Sequence, residues 1–270
     1  EGRQPARGDA RPSAGSHAEH QRFHVFVPEG VLHGRGGEDG KIQAILEFLG
    51  IPYTGSNVTS SAIAMNKIIS KKIFQAHDIP TPKAKIIYSL NDAIQSSIDL
   101  NFPMVLKPIS EGSSIGMTIV SSIKDLDSAT ELALSFNGVA SAEECIIGDE
   151  ETVSILNGEA LPSILINTPN IFYDYHAKYQ SLDTQYICPS SKDSNLEKVY
   201  SEIALNAFRA IGCNGWGRVD FMIKDNGQPK VLEINTVPGM TEKSLVPMAA
   251  ENYGLNFNDL CWQILETSIK

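Results

Sequence analysis

Hydrophobic and polar positions change period several times along the chain. Phe23 to Val27 reads as a short strand, and the glycine-rich stretch HGRGGEDG (His33 to Gly40) follows it. Ile42, Ile45, Leu46 and Leu49 then recur at the spacing of an amphipathic helix, which Gly50 stops. A second helix is predicted from Ser61 to about His77, ending before the breakers Pro80 and Pro82. Beyond Pro82 strands and helices alternate. Strands are predicted at Ala84 to Tyr88, Pro103 to Lys107, Met117 to Val120 and Thr152 to Leu156, and a helix near Asp125 to Phe136. A long helix from about Leu196 to Ile211 would carry Val199, Ile203, Ala207 and Ile211 on one face, with Gly212 just past its end. The fold class is therefore α/β or α+β, and an all-helical chain is excluded.

Residues 1–22 carry Arg3, Arg7 and Arg11 and almost no large apolar side chain, so they cannot bury enough surface to offset the entropy of ordering. They read as a flexible tail. The chain has 270 residues, enough for two compact units or one large one. Hydrophobic residues make up 42% and charged residues 20%, which excludes disorder for the bulk. Lys plus Arg number 22 against 32 Asp plus Glu, and the net charge of −10 repels phosphate backbones, so no nucleic-acid partner is expected. No apolar run approaches the ~18 residues that span a bilayer, and no signal peptide opens the chain. The expectation is a cytoplasmic protein with no membrane partner. Cys145, Cys188, Cys213 and Cys261 lack CxxC spacing, so neither a zinc site nor a disulfide framework is expected.

The densest chemistry lies in GWGRVDFMIKDNGQPKVLEINTVPG (Gly215 to Gly239), two strand-like runs joined at Asn226-Gly227, the strongest short-range hairpin signal. With those two as the turn residues, Asp220 lies opposite Glu233 and Arg218 opposite Asn235. The period of two puts all four side chains on one face. The flanking runs, Phe221, Met222 and Ile223 on one strand and Val231, Leu232 and Ile234 on the other, are read as the apolar side of the hairpin. Carboxylates directly opposed in a sheet repel. Two carboxylates, an amide oxygen and a neighbouring arginine make sense if a hard cation sits between them, and Mg²⁺ takes such ligands together with substrate phosphates. An exposed face whose charges merely pair in water is the bland alternative, worth little energy.

A second constellation is FPMVLKPISEGSSIG (Phe102 to Gly116), in which Lys107 ends an apolar strand and a Gly/Ser loop offers free N–H groups to phosphate oxygens. Taken alone it is weak, since such loops are usually just loops. The GxxxxGK[ST] phosphate loop is absent: Arg35 and Ile42 stand where its first glycine and hydroxyl should be. Lys67, on a predicted helix, earns no role by itself. The Glu143 to Glu150 stretch could offer backbone to an adenine and a carboxylate to a ribose. FYDYHAKY (Phe172 to Tyr179) has no clear period and reads as a long functional loop.

The order of the pieces is more specific than any one of them. HGRGGEDG, GIPYTGS, AMNK, VLKPISEGSSIGM, FYDYHAKY, GCNGWGRVDF, LEINTVPGMT and SLVPMAA follow one another from His33 to the C-terminus. This arrangement resembles the D-alanine–D-alanine ligase family of the ATP-grasp superfamily. The resemblance implies two ATP-grasp lobes clamping a nucleotide, here residues 67–146 and 147–270, preceded by residues 23–66 as the remnant of an N-terminal α/β domain. It implies Lys67 and Lys107 on the ATP phosphates, Glu143 and Ile146 at the adenine edge with Phe172 in the same nucleotide site, Glu150 on the ribose, and Lys178 on the γ-phosphate. Asp220, Glu233 and Asn235 would hold two Mg²⁺ ions, replaceable by Mn²⁺. Arg218 and the backbone near Gly239 would stabilise the tetrahedral intermediate, and Ser244 with Leu245 would bind the acceptor. Ser113 and Tyr179 would meet as two loops close over the site, and His33 is counted with the catalytic residues.

The implied reaction is ordered. One D-alanine carboxylate attacks the γ-phosphate of ATP to give an acyl phosphate and ADP, and the amine of a second D-alanine displaces phosphate. The product serves peptidoglycan precursor synthesis. Tyr179 favours an amine acceptor over D-lactate, and the resemblance leaves a homodimer open, since relatives are often dimers, while the sequence itself does not decide the oligomeric state. One departure stands out. The family's opening strand, Gly-Gly loop with Ser-x-Glu, and helix have no counterpart beyond a faint echo in Ser16-His17-Ala18-Glu19-His20, with Glu19 too near His33 to leave room for the elements between. The expectation is an ATP-grasp module on an incomplete N-terminal domain, its apolar surface exposed where that unit should pack.

Overall fold

Two antiparallel sheets backed by helices make up most of the computed structural model, which describes residues 36–112, 114–168, 184–224 and 227–268. The tail 1–22, the strand Phe23 to Val27, His33, Ser113, FYDYHAKY with Phe172, Lys178 and Tyr179, and the turn residues Asp225 and Asn226 lie outside the described residues.

The chain enters through α1 (Lys41–Phe48), which buries Gln43 and Leu46 while Ile45, Phe48 and Leu49 are exposed. The single helix predicted from Ser61 is two: α2 (Val58–Met65) and α3 (Lys67–Ala76). Asn66 is the cause. Its backbone leaves the helical region (φ −90, ψ 96), and its side chain caps the second helix by accepting from the Ile69 N–H at 3.1 Å. The helix that begins at Lys67 buries Lys67, Ser70, Lys71 and Phe74, positions on one helical face.

The first sheet has strand order β1-β4-β2-β3, from β1 (Ala84–Ile87), β2 (Met104–Pro108), β3 (Thr118–Val120) and β4 (Ala140–Glu144). Helices α4 (Leu90–Leu100) and α5 (Leu126–Leu134) pack on it around the fully buried Met104, Leu106, Val120, Leu126 and Ala142. Helix α4 was not foreseen from the pattern. It is started locally by Ser89, whose side chain accepts from the Asp92 N–H.

The second sheet has order β10-β9-β5-β7-β8, with β6 paired to β5. Its strands are β5 (Gly148–Leu156), β6 (Glu159–Ala160), β7 (Ile164–Asn167), β8 (Gln185–Ile187), β9 (Trp216–Lys224) and β10 (Pro229–Asn235). The long α6 (Ser194–Ile211) lays Tyr200, Ala204, Ala207, Phe208 and Ile211 on Val153, Val219, Phe221 and Ile234. Val199, expected on the inner face, is 41% exposed, because Tyr200 and Ala204 take the stripe one position on. Helices α7 (Leu245–Tyr253) and α8 (Phe257–Glu266) close a separate core around Trp216.

Gly148 marks the crossing from β4 to β5. Its φ is +152, and a Cβ there would stand 1.8 Å from the Ile223 carbonyl oxygen. Only glycine permits that approach of backbones. The cleft between the sheets follows from this crossing.

Candidate active site

The hairpin of β9 and β10 pairs Glu233 with Asp220 and Asn235 with Arg218. Near the bend the register is one residue out from the two-residue turn: Lys224 and Gln228 close it by a 3.0 Å bond, and Val231 lies opposite Phe221. A bulge between Val231 and Glu233 takes up the extra residue, Leu232. Val231 and Ile234 thus both face the core, while Leu232 and Glu233 both line the cleft. Met222 lines it too. The expectation that Met222 and Leu232 share the far face is therefore corrected, and the opposition of the two acids rests on the bulge as much as on the turn.

Asp220 is gripped from several directions. Arg218 donates from Nε to Oδ1 at 2.8 Å and from a terminal nitrogen to Oδ2 at 2.9 Å. Thr152 Oγ1 donates at 2.6 Å and Asn235 Nδ2 at 2.7 Å. Glu233 faces Lys67, whose Nζ lies 3.0 Å from Oε2 and donates to the Glu111 carbonyl at 2.7 Å. Burial pulls the Lys67 ammonium down, but Glu233, with Glu143 and Glu38 beyond it, outweighs burial and holds its pKa above the ordinary lysine value. The bland reading of a solvent-facing helical lysine fails, because Lys67 is only 7% exposed.

Lys107, at the end of β2, lies 2.9 Å from Glu143 Oε2. Lys71 approaches the same oxygen at 3.3 Å, and Ser141 donates to Oε1 at 2.6 Å. Burial would raise the Glu143 pKa, yet Lys107 and Lys71 bring it down to about 2. Burial brings Lys71 down to about 8 against the pull of Glu143. Glu143 is thus a buried anion committed to two lysines, which leaves its side chain little freedom at an adenine edge.

Lys67, Lys107, Glu143, Asp220 and Glu233 open on one cleft between the sheets, with a volume of about 400 Å³, within the usual range for a small-molecule site. Val105, Ile119, Ile146, Leu165, Met222 and Leu232 give it apolar walls. Lys67, Lys107, Glu143, Asp220 and Glu233 give it charge, and Glu150 lines it on β5. Gly112 and Ser114 of the Gly/Ser loop line it as well, with Ser114 at φ 59. Asn235 lies beside Glu233 and Lys67 in a smaller adjoining hollow. Gly239, Ser244 and Leu245 follow β10 and do not line the cleft. Ser244 accepts from the Thr241 N–H at 3.1 Å, and the Leu245 side chain belongs to the core around Trp216. Lys71 and Thr152 were missed. Lys71 lies four residues after Lys67, on the same helical face as Phe74, which was the available signal.

The donor set suits a hard divalent cation: two opposed carboxylates and an amide, now neutralised by the chain's own Lys67 and Arg218. Among the described residues no three His, Cys, Asp or Glu side chains converge. Water and phosphate oxygens would have to complete the shell.

Sequence and structure comparisons carry the family. The family model described as D-ala D-ala ligase C-terminus matches residues 73–266, and D-ala D-ala ligase N-terminus matches residues 3–56. The chain belongs to the D-alanine–D-alanine ligase family. The N-terminal match runs through the segment read above as a tail, including Ser16 to His20. Similar curated ligases of this family include one from Pseudomonas putida (strain GB-1), 47% identical, with the match covering 88% of this chain and 75% of the relative. Another, from Acinetobacter baylyi, is 48% identical over 88% and 78%. Among solved structures, the D-alanine–D-alanine ligase of Bacillus anthracis complexed with ATP superposes at TM-score 0.77 with 37% identity, covering 88% and 77%. VanG D-Ala:D-Ser ligase from Enterococcus faecalis superposes at 0.75 with 33% identity, covering 88% and 70%. The two antiparallel sheets are the ATP-grasp lobes that the resemblance implied.

Proposed function

We propose that the cleft binds ATP and that the chain joins two D-alanine molecules into D-alanyl-D-alanine. The observation that carries this is the opposition of Asp220 and Glu233 at a cleft that also presents Lys67 and Lys107. The apolar walls suit an adenine, with the backbone at Ile146 at its edge and Glu150 toward the ribose. Lys67 and Lys107 suit the phosphates, and binding would draw them from Glu233 and Glu143 onto phosphate oxygens. Asp220, Glu233 and Asn235 would hold magnesium, which supplies charge neutralisation at the transferring phosphoryl group.

In this reading a D-alanine carboxylate oxygen attacks the γ-phosphorus and ADP leaves. The amine of the second D-alanine then attacks the acyl carbon, loses a proton, and phosphate leaves. Arg218, fixed by its two bonds to Asp220, would stabilise the oxyanion charge as it develops, alongside the backbone near Gly239. Ser244 and the Leu245 backbone would receive the acceptor. Roles for His33, Ser113, Phe172, Lys178 and Tyr179 rest on the family resemblance alone. A cytoplasmic homodimer working in peptidoglycan precursor synthesis belongs to the same reading.

The test is phosphate release from ATP, with the products identified by mass. D-Alanine alone should release phosphate and yield the dipeptide. A panel of D-serine and D-lactate, each added with D-alanine, separates a ligase of other acceptor choice, the reading favoured by the likeness to VanG. ATP binding without release on any panel member would make the chain a nucleotide-binding remnant instead.

A further inference from the structure

Lys71 is a lysine with a side chain only 1% exposed, and it takes no part in the cleft lining. Its Nζ lies 3.3 Å from Glu143 Oε2 and donates to Thr81 Oγ1 at 3.3 Å. Thr81 passes the link on: its hydroxyl donates to the Val231 carbonyl at 2.8 Å, beside a second tie from the Val231 N–H to the Pro80 carbonyl at 2.8 Å. Val231 is the last core-facing residue before the bulge that turns Glu233 into the cleft. One buried ammonium therefore joins the strand of Glu143 to the strand of Glu233.

The charge count gives this a purpose. An apolar side chain would fill the space of a buried lysine at lower cost, so packing alone does not explain it. Glu143 could be neutralised by Lys107 alone, yet it meets two cations. If Lys107 swung to a phosphate without Lys71 present, the Glu143 carboxylate would be left buried without a cation, held only by the Ser141 hydroxyl, which disfavours that movement. With Lys71 in place, Glu143 stays paired and Lys107 can leave.

We propose that Lys71 is a positioning residue: it keeps Glu143 paired so that Lys107 is free for a nucleotide phosphate, and through Thr81 it fixes β10 beside Glu233. The proposal rests on the reading of the cleft as the ATP site.

The experiment measures Mg²⁺–ATP binding by calorimetry, the KM for ATP and for D-alanine, and thermal unfolding, in Lys71→Met, Lys107→Met, the double variant and Thr81→Val. Lys71→Met should weaken ATP binding about tenfold or more while the KM for D-alanine moves less than about twofold. The double variant should bind little worse than Lys107→Met, since both act on one route. A folded Lys71→Met that binds ATP like the parent, while Lys107→Met does not, overturns the proposal. If Lys107→Met also binds like the parent, the ATP reading fails and the proposal with it. Should Lys71→Met not fold, Thr81→Val decides: about threefold weaker binding at a nearly unchanged melting temperature supports the link, and unchanged binding overturns it.

Discussion

The Lys67 ammonium lies 3.0 Å from the Glu233 carboxylate, joining the start of a helix to the bulged strand of the second sheet. In the absence of a nucleotide this pair neutralises both partners; with one, each has a better use. Lys67→Met should therefore raise the KM for ATP by about ten- to a hundredfold, as expected for losing a charge-assisted contact. Steady-state kinetics at saturating D-alanine check it, and an unchanged KM removes Lys67 from the phosphate site.

Asp220→Asn should lose both activity and stability. The amide cannot accept as two charged oxygens do, so the buried ion pair between Asp220 and Arg218, which is only 9% exposed, is lost. Breaking a buried pair typically costs about 3–5 kcal/mol. Urea unfolding should show most of that, together with a loss of turnover of about a hundredfold or more. Full stability in this variant would mean that Arg218 finds another partner.

Much of this was legible in the chain, and the exceptions have physical causes. The acid pair was readable because Asn-Gly and the alternation on both strands constrain the register. The bend is in fact one residue longer, and Leu232 bulges by one, so the two departures cancel at Glu233. Bulges leave little trace in an apolar pattern, and for that reason the side taken by Leu232 was misjudged; Met222, two residues on from Asp220, takes the cleft side that plain alternation gives it. The break at Asn66 looks like a helix interior until its capping bond is seen. Lys71 was passed over because a lysine on a helix is ordinarily solvated, and its place on the Phe74 face was the one hint in the chain that this face is buried.

Glu151 predicts a pH dependence. Burial, with Glu197 and Asp149 nearby and a Ser190 bond opposing them, raises its carboxyl to about 7 from 4.5. A folded-state pKa above the unfolded one means that the native protein binds the extra proton between those values. Stability therefore falls as pH rises through that window. Glu151→Gln cannot titrate, yet keeps an acceptor for Ser190. Its melting temperature should exceed the parent's by a few degrees near pH 8, with the gain gone near pH 4.5. A pH-independent difference would show that the carboxyl is not buried with its proton.

Gly148→Ala tests the crossing between the sheets. A methyl group 1.8 Å from the Ile223 carbonyl oxygen must push β5 and β9 apart, and the backbone at φ +152 is itself strained for alanine. A loss of about 2–4 kcal/mol is expected in denaturant unfolding. A near-neutral result would place the strand ends further apart than described.

Manganese resonance asks the central question most directly, because the bound ion reports its own ligands. With a non-hydrolysable ATP analogue present, the parent protein should bind Mn²⁺ and alter its spin resonance spectrum. Glu233→Gln should lose that binding by about tenfold or more at intact melting temperature. An unaltered Mn²⁺ titration in folded Glu233→Gln would contradict the claim that Asp220 and Glu233 face each other to share a cation.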